Sequence, residues 1–166
     1  MGAARNKNRN GSAPKKASIN GASRHLSSKA LNYKFPSSDR QELHRAEDEI
    51  LAQVHRCGYD EPSTFAIKLA MDEALVNAVK HGNKLDPHKN VLVKATITPK
   101  RATIEIEDEG PGFKRSSVPD PTEDENLCKC SGRGILLMES YMNSVTWTKQ
   151  GRRVKMVRIN QRHLKA

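Results

Sequence analysis

The sequence predicts an α/β fold of the α+β kind. Helices should cover one face of a mixed, mostly antiparallel sheet, giving a two-layer sandwich. Three observations lead there. Alternating apolar and polar residues mark five short strands. Apolar residues at helical spacing mark three helices between them. A long polar stretch, 109–131, interrupts the order and carries Gly110, Pro111, Gly112, Pro119 and Pro121. A connection of that length inside a compact domain usually has a function, such as a lid.

The first strand is read at Ala30–Pro36, ended by proline. Ser37-Ser38-Asp39 offers N-caps for a helix whose Leu43, Ala46, Glu47, Ile50, Leu51 and Val54 recur to about Cys57. Gly58 stops it. Pro62-Ser63-Thr64 opens a second helix, which should run to about His81 and end at Gly82. Val91, Val93, Ala95 and Ile97 alternate, as do Thr103–Glu107. A short turn around Pro99-Lys100 makes them an antiparallel pair, with Ile104 and Ile106 facing inward. A third, short helix covers Ile135–Tyr141. A hairpin of Ser144–Thr148 and Val154–Ile159 around Gly151 closes the domain. There are no internal repeats.

The 166 residues suffice for one domain with a sizeable core, and the domain is expected over 29–162. The formal net charge of +10 invites a nucleic-acid reading, but its distribution argues against one. Residues 1–34 hold eight basic and no acidic side chains, leaving 21 basic against 19 acidic in the rest. Residues 1–28 carry almost no large apolar side chain and are expected to be a disordered, basic, solvated tail rather than a nucleic-acid grip. No apolar run approaches the roughly 18–20 residues needed to span a membrane, and the N-terminus lacks an apolar signal core. Cys57, Cys128 and Cys130 form no disulfide framework and have no zinc-ligand spacing. Reduced thiols in a cytoplasmic protein are the expectation.

Three local patterns carry chemistry. On the second helix, Ile67, Ala70, Met71, Ala74, Leu75 and Ala78 fall on one face at 100° per residue. Glu73, Asn77, Lys80 and His81 fall on another. Glu73 and Asn77 are neighbours at i and i+4, a carboxylate beside a carboxamide, suited to water activation and Mg²⁺ ligation. Next, Asp108-Glu109-Gly110-Pro111-Gly112 puts a carboxylate at a strand end, where it can accept from an exocyclic amine. The glycines there let backbone approach a ligand. Finally, Ser131-Gly132-Arg133-Gly134 runs into the third helix. N–H groups at a helix start attract phosphate, and Arg133 adds a cationic fork. Each pattern alone is better read as an exposed helix face, a solvated turn or a plain Gly-x-Gly. Their weight lies in their combination.

Taken together, Asp72–Asn83 resembles the N box of the GHKL ATPase superfamily, Asp108–Gly112 its G1 box and Gly132–Gly134 its G2 box. Order and spacing match over roughly residues 30–160. Size and N-box wording look closest to the anti-sigma-factor serine/threonine kinases of the RsbW type. The resemblance implies a Bergerat ATP-binding fold with ATP and Mg²⁺. By it, Glu73 is the general base and Asn77 the Mg²⁺ ligand. Asp108 is the acceptor for adenine's amino group, with Gly110 and Gly112 shaping that end. Residues 114–131 become an ATP lid. Gly132, Arg133 and Gly134 lie near the phosphates, with Lys80 and His81 as secondary phosphate contacts. It further implies a protein kinase and anti-sigma factor, with an anti-anti-sigma (STAS) protein and a sigma factor as partners; family members often form homodimers. One departure counts against full activity. The family usually has a threonine in the last hairpin under the adenine, and Gly151-Arg152-Arg153-Val154-Lys155 has arginine instead. The alternative is therefore a nucleotide-dependent regulatory binding module with little or no kinase activity.

Overall fold

The computed structural model describes residues 28–114 and 133–163. The tail up to residue 27, most of the lid with Cys128 and Cys130, and Ser131 and Gly132 lie outside the described residues.

Strand β1 (Lys29–Pro36) is followed by helix α1 (Arg40–Arg56) and helix α2 (Glu61–Val76), then by strands β2 (Asn90–Ile97) and β3 (Arg101–Asp108). Helix α3 (Arg133–Tyr141) and strands β4 (Ser144–Thr148) and β5 (Arg153–Ile159) complete the fold. Of the three capping candidates, Asp39 is the one that closes α1. Its side chain accepts from the Glu42 N–H at 3.0 Å, leaving Ser37 free for another task. Asp60 caps α2 in the same way from the Ser63 N–H, and Pro62 occupies the first turn, where its missing N–H costs nothing.

The five strands form one sheet in the order β1-β2-β3-β5-β4. Every pairing is antiparallel, so the sheet contains none of the parallel pairing that a mixed sheet would have. The register lines up Val93, Ile106, Val154 and Trp147 across four strands, and Ala95, Ile104, Met156 and Val145 beside them. This apolar face packs on α1 and α2. The six apolar residues expected on one face of α2 are all buried there, Ile67, Ala70 and Met71 completely. The opposite face of the sheet is polar. Glu105 and Glu107 on β3 pair across strands with Arg153 and Lys155 on β5. One apolar and one polar face is the strand alternation read from the sequence, now closed by the helices.

The second helix departs from expectation at its end. It does not run as a plain α-helix to His81 but widens after Val76 into a π turn over Asn77–Gly82. The Asn83 N–H bonds back five residues to the Ala78 carbonyl at 2.8 Å, and Lys84 and Leu85 leave with positive φ. A wider turn of this kind shifts the chain sideways relative to an α-helix, a device often found at functional sites. Here it brings the backbone of Gly82 against the end of β3. A Cβ on Gly82 would overlap the Asp108 carboxyl, and one on Gly110 would overlap the Gly82 carbonyl. Gly82 is thus a contact point between helix and sheet as well as a helix stop.

Candidate functional site

A cavity of about 570 Å³ opens between α2 with its π turn, the ends of β3 and β5, and the start of α3. Its size suits a nucleotide-sized ligand. Glu73, Asn77, Lys80 and His81 line one wall from α2, Asp108 and Gly112 line another, and Gly134 reaches it from α3. Residues more than sixty positions apart therefore share one hollow.

Asp108 occupies its place because β3 alternates. Ala102, Ile104, Ile106 and Asp108 all face inward, and the last of the row comes out from under the core at the cavity. Its Oδ1 accepts from the Gly110 N–H at 2.8 Å. That is its only side-chain hydrogen bond among the described residues, which leaves Oδ2 for a ligand. Burial pushes the carboxyl above its ordinary value, while the Gly110 N–H and the nearby Arg152 guanidinium hold it down. The neighbouring acid points the other way: Glu109 is exposed and accepts from the Asn90 N–H at 2.8 Å.

Glu73 and Asn77 sit side by side against the start of α3. A Cβ on Gly134 would overlap the Glu73 carboxylate and touch the Asn77 amide, so the glycine lets α3 begin beside both with the Glu73 side chain in its present position. Gly110 is buried against Gly82 rather than lining the hollow. Arg133, the first residue of α3, is exposed and does not line it. Among the described residues no group of three or more His, Cys, Asp or Glu could hold a metal unaided. A cation here would need ligand oxygens as well as Asn77.

The profile of the histidine kinase-like ATPase domain matches residues 16–158. The chain belongs to that family. Within this ATPase-domain family, an anti-sigma F factor of Clostridium perfringens is 35% identical over 82 residues, covering 48% of this chain and 58% of that protein. An anti-sigma F factor of Oceanobacillus iheyensis is 33% identical over 82 residues, 48% of this chain and 56% of that protein. A serine-protein kinase RsbW of Listeria monocytogenes is 28% identical over 96 residues, 54% of this chain and 61% of that protein. The aligned part thus spans a little over half the length of these curated relatives. No described helix of the ATPase domain is long and apolar enough to cross a membrane.

Three features of this ATPase domain depend on contacts that local sequence pattern does not show. Phe113 and Trp147 meet edge to face, centroids 6.3 Å apart, and line the Asp108 end of the cavity. The strand pattern showed Trp147 as a strand residue, but not that it would reach a ring from another loop. Arg152 also lines the cavity, whereas Arg153 turns to the polar face and bonds Glu107. The third is Asn83, fully buried at the end of the π turn. Its Oδ1 accepts from the Glu109 N–H at 2.8 Å, and its Nδ2 donates to Ser37 Oγ at 2.7 Å and the Asn90 carbonyl at 2.9 Å. One amide thus ties the helix end to the residue after β1, to the start of β2 and to the residue after Asp108.

Asn83→Ala should therefore cost about 2–4 kcal/mol in urea unfolding, because it leaves buried partners unsatisfied. A loss below about 0.5 kcal/mol, the level of an ordinary surface substitution, would contradict this account of Asn83.

Proposed function

We infer that the chain binds ATP with Mg²⁺ in this cavity and transfers the γ-phosphoryl group to a serine or threonine of an anti-anti-sigma (STAS) partner, acting also as an anti-sigma factor. The observation that carries this is the Glu73–Asn77 pair and the Asp108 carboxylate lining one and the same hollow. Family membership and the printed names of the relatives support it.

In this reading, Asp108 Oδ2 accepts from the adenine amino group, and the apolar walls with Phe113 and Trp147 take the ring. Gly82 and Gly112, which line the hollow, leave room there for a flat ligand. The phosphates extend toward Asn77 and Gly134 at the start of α3, with Lys80 and His81 alongside. The phosphate roles that the resemblance gives Gly132 and Arg133 are not part of this reading, since Gly132 lies outside the described residues and Arg133 does not line the hollow. Asn77 would hold Mg²⁺ at the phosphates, and the ion would supply charge neutralisation there. Glu73 takes the proton of the attacking hydroxyl as its oxygen bonds to the γ-phosphorus. The bond from that phosphorus to the bridging oxygen breaks, and ADP leaves. Such a protein works in the cytoplasm beside its sigma factor, as a homodimer in the manner of its family.

The test mixes the full chain, a STAS protein and labelled ATP. Label should appear on a partner serine or threonine. ATP binding without transfer to any STAS protein encoded near this chain would remove the kinase reading. Arg152, standing where the family usually has threonine, favours a second reading, a nucleotide-dependent binding module without transfer. Glu73→Ala separates the two: regulation that survives it but not Asp108→Asn belongs to the binding module.

A further inference from the structure

The two adjacent arginines of the last hairpin have opposite fates, and the difference follows from local geometry. Arg153 is the first residue of β5 and faces the polar side, where it is bonded to Glu107 and near Glu105. Arg152 precedes the strand. Lys149, Gln150 and Gly151 turn with positive φ, and the turn delivers Arg152 to the cavity side. Its Nε donates to the Lys149 carbonyl at 3.2 Å. The stem is also confined, since a Cβ on Gly112 would lie 3.2 Å from Arg152 Cγ. Among the described residues, Nη1 and Nη2 have no hydrogen-bond or ion-pair partner. The side chain is anchored at Nε with both outer nitrogens unused, at the end of the cavity that holds Asp108, Phe113 and Trp147.

An acceptor and a pair of donors thus stand at one end of the hollow. Asp108 offers Oδ2, and Arg152 offers a planar fork. A purine with a 6-amino group presents the matching pattern, a donor flanked by ring acceptors at N1 and N7. A cationic donor close to a buried carboxylate, with aromatic rings limiting water, makes a stronger hydrogen bond than a threonine hydroxyl in open solvent would.

We propose that Arg152 is a base-reading residue, whose guanidinium donates to a ring acceptor beside the amino group that Asp108 receives. The proposal rests on nucleotide binding in this cavity. It makes the arginine a replacement for the threonine contact rather than a loss of it, and it makes selectivity for an adenine ring depend on two charged groups.

The experiment is a binding cycle by calorimetry with Mg²⁺, on the full-length wild-type chain, Arg152→Thr and Arg152→Lys. The probes are ATP and the triphosphates of 1-deazaadenosine and 7-deazaadenosine, each lacking one ring acceptor. A hydrogen bond to a charged donor is worth about tenfold or more in affinity. Arg152→Thr should weaken ATP by about that factor, and Arg152→Lys by less. One of the deaza nucleotides should bind the wild type about tenfold more weakly than ATP, and Arg152→Thr should bind that analogue and ATP alike. Thermal unfolding of each variant identifies a misfolded one, and the lysine variant, which keeps the charge, then carries the cycle. If Arg152→Thr binds ATP as tightly as the wild type or more tightly, or if both variants keep the full deaza penalty, the proposal is overturned. A wild-type chain that binds no adenine nucleotide overturns the nucleotide reading itself, a result distinct from an Arg152 that is merely silent.

Discussion

Replacing Asp108 with asparagine should weaken ATP binding by about 10²–10³-fold, with no loss of fold stability. The two halves of this expectation have one cause. Oδ1 is committed to the Gly110 N–H, so an asparagine keeps its oxygen there and turns its amide nitrogen to the cavity. A donor then meets the adenine amino group, itself a donor. The charge-assisted bond is lost and a repulsive contact replaces it. The fold, meanwhile, is relieved. Burial raises the Asp108 carboxyl above its ordinary value of 3.8. The folded chain therefore holds that proton more tightly than the unfolded chain, and between the two values stability falls as pH rises. Above the folded value the ionised group burdens the fold, and a neutral amide carries no such burden. Nucleotide titration beside urea unfolding checks both halves. Equal loss of binding and stability would mean that Asp108 holds the fold rather than the ligand. The same shift predicts that ATP affinity falls on acidification at a higher pH than an ordinary aspartate would require.

Glu73→Gln should lower the rate of phosphoryl transfer by about 10²–10⁴-fold, the usual contribution of a general base. ATP affinity should stay unchanged or improve, because a negative charge near the phosphates is removed. Glutamine keeps the shape that packs against Gly134, so α3 should stay in place. Single-turnover transfer to a STAS partner, measured at saturating ATP, separates this from a binding defect. Transfer at the wild-type rate would remove Glu73 from the chemistry. A matched loss of ATP affinity would make it a binding residue.

Much of this was legible in the residues because it depends on short periods. The 100° wheel of α2 separated Ile67, Ala70 and Met71 from Glu73 and Asn77, and the first three are fully buried while the other two line the cavity. Alternation along β3 placed Asp108 in register with Ile104 and Ile106, on the inward row that ends at the hollow. Less was legible where backbone geometry changes without a pattern to announce it. Nothing in Asn77–Gly82 marks a π turn, because the extra residue per turn is held by contacts outside the helix, such as those of Gly82 and Asn83. Arg152 and Arg153 are the same residue type in adjacent positions. Only the positive-φ turn before them decides which one meets the cavity.

By itself, then, the sequence determined the helices and strands, the apolar face of each and the order of the three motifs, since all of these are set by local periodicity and by residue chemistry. Tertiary structure alone decided three things. The sheet is wholly antiparallel in the order β1-β2-β3-β5-β4. Gly82 rests on Asp108. Arg152 joins Asp108, Phe113 and Trp147 around one hollow. Each is a meeting of residues distant in the chain, and which distant residues meet is set by the joint packing of the whole core.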